Sequence, residues 1–246
     1  MSMNNIQIPE PQFPRGIKIR ALLFDMDGLL LDTESLHIRA YAELTRRLGK
    51  PRPAEVFKQF IGITHQVTAQ WMINELDLTN SCAELVAQQQ AIYLQMVATE
   101  RPPPLPGVRE IFDQCEQRAL KRGLITSSEK VQAEMIMQMV IEHLNQPGDW
   151  KNYFDVVCTG DQVKNRKPSP DLYLLATEKL KLPADACLVL EDSPAGIIAA
   201  HDAGCRVVAV PNPYLKADDV AQGKADFVCA SLLDVLKNFD KLTNGS

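Results

Sequence analysis

The feature that most constrains the fold is a series of short apolar runs that do not alternate with polar residues. They occupy the segments 17–25, 122–126, 155–158, 187–191, 206–210 and 227–229. Continuous apolar runs of this length are typical of strands that are buried on both faces of a sheet. Amphipathic helical patterns lie between most of these runs, which predicts an α/β fold with a parallel sheet and helices on both of its faces.

The stretch 33–100 interrupts this alternation, because it contains only helical patterns and no strand-like run. The segment "RPPPLPG" that follows is rich in proline and predicts a stiff, extended connector. We therefore expect an all-helical domain at 33–100, inserted after the first strand, and a discontinuous α/β core at 17–32 and 101–246. Residues 1–16 carry three prolines and few apolar residues, which predicts a flexible tail.

Composition limits the classes of protein that fit this chain. Its 246 residues include 26 basic and 31 acidic side chains, a net charge of −5 that disfavours binding to nucleic acid. It has neither a membrane-spanning apolar run nor an N-terminal secretory signal. The six cysteines are scattered without a CxxC pair, which indicates reduced thiols. We expect a cytoplasmic protein with no membrane or nucleic-acid partner; the sequence leaves its oligomeric state open, and a monomer fits.

The first strand ends in the acidic segment "DMDG", which contains Asp25 and Asp27. Ligands of open parallel sheets bind beyond the carboxyl ends of the strands, which is where these two residues fall. Two carboxylates this close repel each other unless a cation or a shared proton lies between them, and Mg²⁺ prefers such oxygen ligands. Taken alone, the segment also fits a simple turn at Gly28.

Polar residues follow three other predicted strands in the same way. Thr126 and Ser127 precede a helix, where hydroxyl and N–H groups bind anions, although a serine there also fits a helix cap. Lys167 lies in a proline-rich loop, where a lysine either neutralises a bound phosphate or is an ordinary solvent-exposed residue. Glu191 and Asp192 end a buried strand and are costly to bury without a metal ion or a partner. Together these groups suit phosphoryl transfer.

At this point the sequence resembles the haloacid-dehalogenase-like superfamily over nearly all of residues 19–240. The segments "DMDGLLLDTE" at 25–34 and "EDSPAG" at 191–196 carry the resemblance, together with the hydroxyl and lysine segments between them. The resemblance implies a Rossmann-like core and identifies the helical insert as a small helical cap. It also implies that the protein is an enzyme, a phosphatase that hydrolyses phosphoric monoesters.

The resemblance assigns a role to each residue type. Asp25 would attack phosphorus and form an aspartyl-phosphate, while Asp27 would act as the general acid and base. Thr126 and Lys167 would hold the phosphoryl oxygens and balance their charge. Magnesium would be bound by the carboxylates of Asp25, Asp192 and Glu191 and by the backbone carbonyl of Asp27. The remaining substrate contacts would come from Ser127, Glu34 and His37.

Several activities share these motifs. The Asp two residues after the nucleophile argues for hydrolysis of phosphate esters or for transfer of phosphate between sugar hydroxyls. We expect a phosphatase for a small phosphorylated metabolite, namely a sugar, polyol or nucleoside phosphate. A β-phosphoglucomutase-like mutase is the alternative, and His37 stands where mutases also have a histidine. The positions that resemble the mutase's cap cations are His65 and the glutamine run 88–90, which weakens that alternative. A catalytically silent binding relative is a further alternative. Receiver-type domains, which also accept phosphate on Asp, are about half as long and have no cap.

One residue departs from the family pattern. Arg166 precedes the motif lysine where the family often has glycine. It either obstructs the close approach of this loop or adds a second cation, and Lys164 is a weaker candidate for the role of Lys167.

Overall fold

The fold is built on a six-stranded parallel sheet. The computed structural model describes residues 18–145, 148–211 and 224–244, and the predicted tail 1–16 lies outside this part of the chain. The strands are β1 Ala21–Phe24, β2 Lys121–Ile125, β3 Val156–Cys158, β4 Cys187–Glu191, β5 Arg206–Ala209 and β6 Phe227–Val228. Their order in the sheet is β3-β2-β1-β4-β5-β6. Every predicted apolar run forms a strand, so the α/β, Rossmann-like prediction is confirmed.

Helices cover both faces of this sheet. The described helices are α1 Glu34–Arg47, α2 His65–Leu76, α3 Cys82–Glu100, α4 Val108–Gln117, α5 Lys130–His143, α6 Asp171–Leu180, α7 Pro194–Asp202, α8 Leu232–Lys237 and α9 Phe239–Thr243. Leu23 of β1 shares a buried cluster with Leu172 of α6 and Ile197 of α7. The next residue, Phe24, contacts Phe112 of α4 edge to face. Successive side chains of a strand point to opposite faces, so β1 is buried on both sides.

The sheet register brings the functional segments to one edge. Phe24, the last residue of β1, lies opposite Leu124 of β2 and Leu190 of β4. The backbone N–H of Asp25 continues the ladder and donates to the Leu190 carbonyl at 3.1 Å. Because all pairs are parallel, the residues that follow β1, β2 and β4 leave the sheet side by side.

The chain divides into two compact units. One, here called the sheet unit, comprises residues 1–30 and 104–246, and the other, the helical unit, comprises Leu31–Pro103. The helical unit contains α1, α2 and α3, and α3 begins with a reciprocal capping box between Ser81 and Glu84. The segment "PAEVFKQF", predicted as a helix, forms the 3-10 helix Ala54–Phe60. The segment that begins after Pro53 is short, and short helical segments often adopt this tighter geometry.

The cysteines agree with the prediction of unpaired thiols. All six are free, and five of them are buried. Burial raises the pKa of Cys115 to about 12 and that of Cys158 to about 11, so both thiols stay protonated at neutral pH. Within the described residues, no helix combines the length and the apolar character needed to cross a membrane. The cytoplasmic location stays a prediction.

The central strand should dominate the stability of the sheet unit. Leu23 is fully buried, whereas 48% of Leu174 on α6 is exposed. We expect Leu23→Ala to lower the free energy of unfolding by about 3 kcal/mol, because it leaves a cavity between β1 and the helices. The matched control, Leu174→Ala, should change it by less than about 0.5 kcal/mol. Urea denaturation measures both, and equal losses would contradict this account of the core.

Candidate active site

A buried ammonium group joins two carboxylates at the carboxyl edge of the sheet. Lys167 Nζ lies 2.5 Å from Asp25 Oδ1 and 2.6 Å from Glu191 Oε1. It also donates to the backbone carbonyl of Ile125 at 2.8 Å. These contacts use all three hydrogens of the ammonium, and only 5% of the lysine side chain is exposed. The prediction that these segments meet at one edge therefore holds for Asp25, Lys167 and Glu191.

Burial and charge act in opposite directions on this group of side chains. Burial by itself would lower the pKa of Lys167, but the facing carboxylates of Asp25 and Glu191 outweigh it and raise that pKa, so the lysine stays charged. Burial, together with the negative charges of Glu191 and Asp27, raises the pKa of Asp25 well above its ordinary value, although Lys167 opposes the shift. The ionised form of Asp25 is therefore costly at this buried position.

The Glu191 carboxylate is held from several sides. The Tyr173 hydroxyl donates to Oε1 at 2.6 Å, and the Ser193 hydroxyl donates to Oε2 at 3.1 Å. Ser193 also caps α7 by accepting from the N–H of Gly196 at 3.1 Å. A Cβ atom on Gly196 would lie 1.9 Å from the Glu191 carboxyl carbon, so the carboxylate occupies space that only glycine leaves free. Glu191 is fully buried.

Three carboxylates form a potential metal site. Asp25, Glu191 and Asp192 are all buried, and each has an oxygen atom within 4.8 Å of the others. Lys167 pairs with two of these carboxylates, Asp25 and Glu191, and gathering three carboxyl groups in a buried site is costly unless positive charge compensates them. Hard carboxylate oxygens are the ligands that Mg²⁺ prefers, so this donor set fits that ion.

The loop after β2 places hydroxyl groups beside this cluster. The buried Thr126 anchors the loop, as its N–H donates to the Cys158 carbonyl and its Oγ1 accepts from the N–H of Ser128. The Ser128 hydroxyl donates to Asp27 Oδ2 at 2.8 Å. Helix α5 begins at Lys130, after Glu129 in the capping position, so neither Ser127 nor Ser128 acts as the helix cap. Ser127 is half-buried between these two residues.

The structure resolves the question raised by Arg166. Its guanidinium lies 3.1 Å from Glu129 Oε1 in a largely exposed ion pair. It neither obstructs the loop nor joins the carboxylates. Of the adjacent residues Arg166 and Lys167, it is Lys167 that contacts Asp25. Lys164 makes none of the contacts described for Lys167, so its weaker candidacy is not supported.

The predicted substrate residues Glu34 and His37 lie in the helical unit, at the start of α1. The His37 ring stacks on Tyr93 with centroids 3.8 Å apart, and its Nδ1 lies 3.1 Å from Gln89 Nε2. This contact pairs the imidazole of His37 with the amide of Gln89. Burial and the neighbouring His65 hold the pKa of His37 well below its ordinary value. His37 is therefore a neutral imidazole at neutral pH.

Sequence reasoning did not predict the contacts of four residues that support these groups. They are Ser128, Tyr173, Ser193 and Gln89. Ser193 carried a recognisable signal, because serine before Pro194 and Gly196 is a typical helix start. Tyr173 and Gln89 carried none, because a single polar side chain on a helix gives no indication of its partner. The Gln89 side chain is fully buried, and its Oε1 accepts no hydrogen bond from the described residues.

A parallel sheet with carboxylates, hydroxyls and a lysine at one edge defines a class of phosphoryl-transfer proteins, and comparison with known proteins identifies the family. The family model described as haloacid dehalogenase-like hydrolase matches residues 22–210. The chain belongs to this family.

Individual relatives agree with this assignment. The phosphorylated carbohydrates phosphatase of Thermotoga maritima is 33% identical over 225 residues, which cover 89% of this chain and all of that protein. A Drosophila melanogaster protein named "Probable pseudouridine-5'-phosphatase" is 33% identical over 88% of this chain and 91% of its own length. The structure of CbbY from Rhodobacter sphaeroides in complex with phosphate aligns with a TM-score of 0.74 and 26% identity, covering 88% of this chain and 96% of that one. The prediction of an enzyme, a phosphatase of this family, is confirmed.

The raised pKa of Asp25 predicts a pH-dependent cost in stability. A carboxyl group whose folded pKa lies above its unfolded value of about 3.8 stabilises the fold at acid pH, and this contribution is lost as the pH rises through the folded pKa. We therefore expect Asp25→Asn, in the presence of EDTA, to be more stable than wild type by about 1 kcal/mol at pH 7. The difference should shrink on acidification towards about pH 4.

Calorimetric melting at several pH values checks this expectation. Asp185→Asn is the matched control, because Asp185 is exposed in the 3-10 helix before β4 and the substitution should change stability little. A destabilised Asp25→Asn protein at pH 7 would contradict the electrostatic account.

Proposed function

We propose that the protein is a magnesium-dependent phosphatase that hydrolyses a small phosphate monoester through an aspartyl-phosphate on Asp25. The observation that carries the proposal is the position of this carboxylate. It is buried at the carboxyl end of the central strand, 2.5 Å from the Lys167 ammonium and beside Glu191 and Asp192. A carboxylate nucleophile divides a difficult displacement into two easier steps.

The first step transfers the phosphoryl group to the protein. Asp25 Oδ attacks phosphorus, the ester P–O bond breaks, and Asp27 donates a proton to the departing alcohol oxygen. Asp27 is suited to this task, since the Ser128 hydroxyl orients its carboxyl group at 2.8 Å. Lys167 offsets the negative charge that Asp25 and the phosphoryl oxygens bring together. Thr126 and Ser127 donate hydrogen bonds to the phosphoryl oxygens.

The second step regenerates the nucleophile. Asp27, now ionised, removes a proton from a water molecule whose oxygen attacks the phosphorus of the aspartyl-phosphate. The bond between phosphorus and Asp25 breaks, and inorganic phosphate leaves. Asp25, Glu191, Asp192 and the backbone carbonyl of Asp27 hold Mg²⁺, which supplies positive charge that stabilises the phosphoryl oxygens. The close grouping of three buried carboxyl groups, Asp25, Glu191 and Asp192, supports the assignment of a cation.

The helical unit acts as the cap in this proposal, and it selects the substrate. Glu34 and His37 contact the part of the substrate that carries no phosphate. His37 offers a neutral imidazole, and the fully buried Gln89 beside it has an amide oxygen that accepts no hydrogen bond from the described residues. Neutral donors and acceptors suit hydroxyl groups, which supports a sugar, polyol or nucleoside monophosphate. The names of the phosphatases from Thermotoga maritima and Drosophila melanogaster support the same class.

Phosphate release tests the proposed reaction. We expect purified protein with Mg²⁺ to release phosphate from members of a panel of sugar, polyol and nucleoside monophosphates, and EDTA to abolish this release. Asp25→Asn should lower the rate by at least about 10³-fold, because the amide oxygen is a poor nucleophile. Asp185→Asn controls for the same chemical change at a surface site.

Three other outcomes would contradict parts of this proposal. Conversion of glucose 1-phosphate to glucose 6-phosphate without phosphate release would favour a mutase. Absence of turnover across the panel with Mg²⁺ would favour a binding protein. Retention of full activity by Asp25→Asn would exclude an aspartyl-phosphate at this residue.

A substitution at His37 tests the role of the cap. We expect His37→Ala to raise KM roughly tenfold for the preferred hydroxylated substrate, because a hydrogen bond to the substrate is lost. Hydrolysis of p-nitrophenyl phosphate, whose leaving group has no hydroxyl to bind, should change little. His201→Ala, at an exposed site on α7, is the control. Equal losses for both substrates would indicate that His37 does not select the substrate.

A further inference from the structure

Tyr173 makes two contacts with the charged cluster, and the reaction steps above leave this residue without a role. It lies in the first turn of α6 and is fully buried. Its hydroxyl donates to Glu191 Oε1 at 2.6 Å. The ammonium of Lys167 lies 5.1 Å from the centroid of its ring, within the range of a cation–π interaction. One side chain therefore touches both members of the Lys167–Glu191 pair.

The position of Lys167 depends on a competition between two carboxylates. Asp25 and Glu191 lie at almost equal distances from the ammonium, 2.5 and 2.6 Å. The lysine side chain is a flexible four-carbon chain, so its own geometry does not decide between them.

The Tyr173 hydroxyl biases this competition towards Asp25. It donates to Oε1 of Glu191, the same oxygen atom that accepts from Lys167. Sharing this oxygen between two donors weakens its hold on the ammonium and fixes the direction in which the carboxylate points. The ring adds a wall on one side of the ammonium, so that Lys167 remains next to Asp25.

We propose that Tyr173 is a positioning residue that holds Lys167 against Asp25, where the lysine meets the transferred phosphoryl group. The inference rests on the proposed phosphatase function and adds a residue to its machinery. Tyr173 touches neither substrate nor metal in this proposal, and it acts on the reaction through the position of Lys167. It should therefore affect the rate of phosphoryl transfer more than the binding of substrate.

Two substitutions distinguish the contribution of the Tyr173 hydroxyl from that of its ring. Tyr173→Phe keeps the ring over Lys167 and removes only the hydroxyl, and we expect kcat to fall roughly tenfold with KM nearly unchanged. Tyr173→Leu removes both contacts and should lower kcat roughly a hundredfold. Tyr153→Phe is the matched control, because Tyr153 lies in the 3-10 helix before β3 and should retain wild-type kcat.

A double-mutant cycle distinguishes positioning from a general structural effect. In a Lys167→Ala background, Tyr173→Phe should cause no further loss in the single-turnover rate of phosphoenzyme formation, because the group on which it acts is gone. Melting curves identify any variant that fails to fold. Wild-type kcat in Tyr173→Phe, or a full additional loss in the Lys167→Ala background, would overturn the inference while leaving the phosphatase function intact. A wild-type protein without turnover would overturn the proposed function and this inference together.

Discussion

The shared ammonium of Lys167 is the interaction on which the rest of the site depends. It gives its three hydrogens to Asp25, to Glu191 and to the carbonyl of Ile125, and thereby ties together residues from β1, β2 and β4. Carboxylates buried this deeply would repel each other without it. The contacts of Lys167 therefore stabilise the charges of the site and align these strand ends at the same time.

The parallel sheet is what makes this arrangement possible. Each strand contributes its apolar residues to a core that is covered on both faces, and its carboxyl end contributes the next polar residue to a common edge. The register fixes that edge to within a residue, because Phe24 lies opposite Leu124 and Leu190. A slip of one strand would move Asp25 away from Glu191 and also turn its apolar side chains towards the wrong face.

The sequence was informative where a residue's place follows from local pattern. The six strands and the carboxylates and hydroxyls after them follow from apolar runs and their ends, and chain order brings them to one edge. The contacts of Tyr173, Ser128 and Gln89 join residues that are 18, 101 and 52 positions apart, and no local pattern encodes such pairs. The surface pairing of Arg166 with Glu129 depends on loop geometry in the same way.

The distribution of charge links this site to the composition of the chain. Asp25, Asp27, Glu191 and Asp192 contribute four of the 31 acidic residues, and three of these four are buried near a single lysine. Replacing buried ion pairs with apolar side chains often leaves the stability of a fold unchanged or increases it. Stability alone therefore does not explain why the chain has this cluster. Such a cluster suits a site that a cation and a phosphoryl group enter together, since the cation would offset the carboxylates and the phosphoryl oxygens at once. The electrostatic cost of gathering these carboxylates and the proposed affinity for a metal-bound phosphate ester are therefore two consequences of the same buried groups.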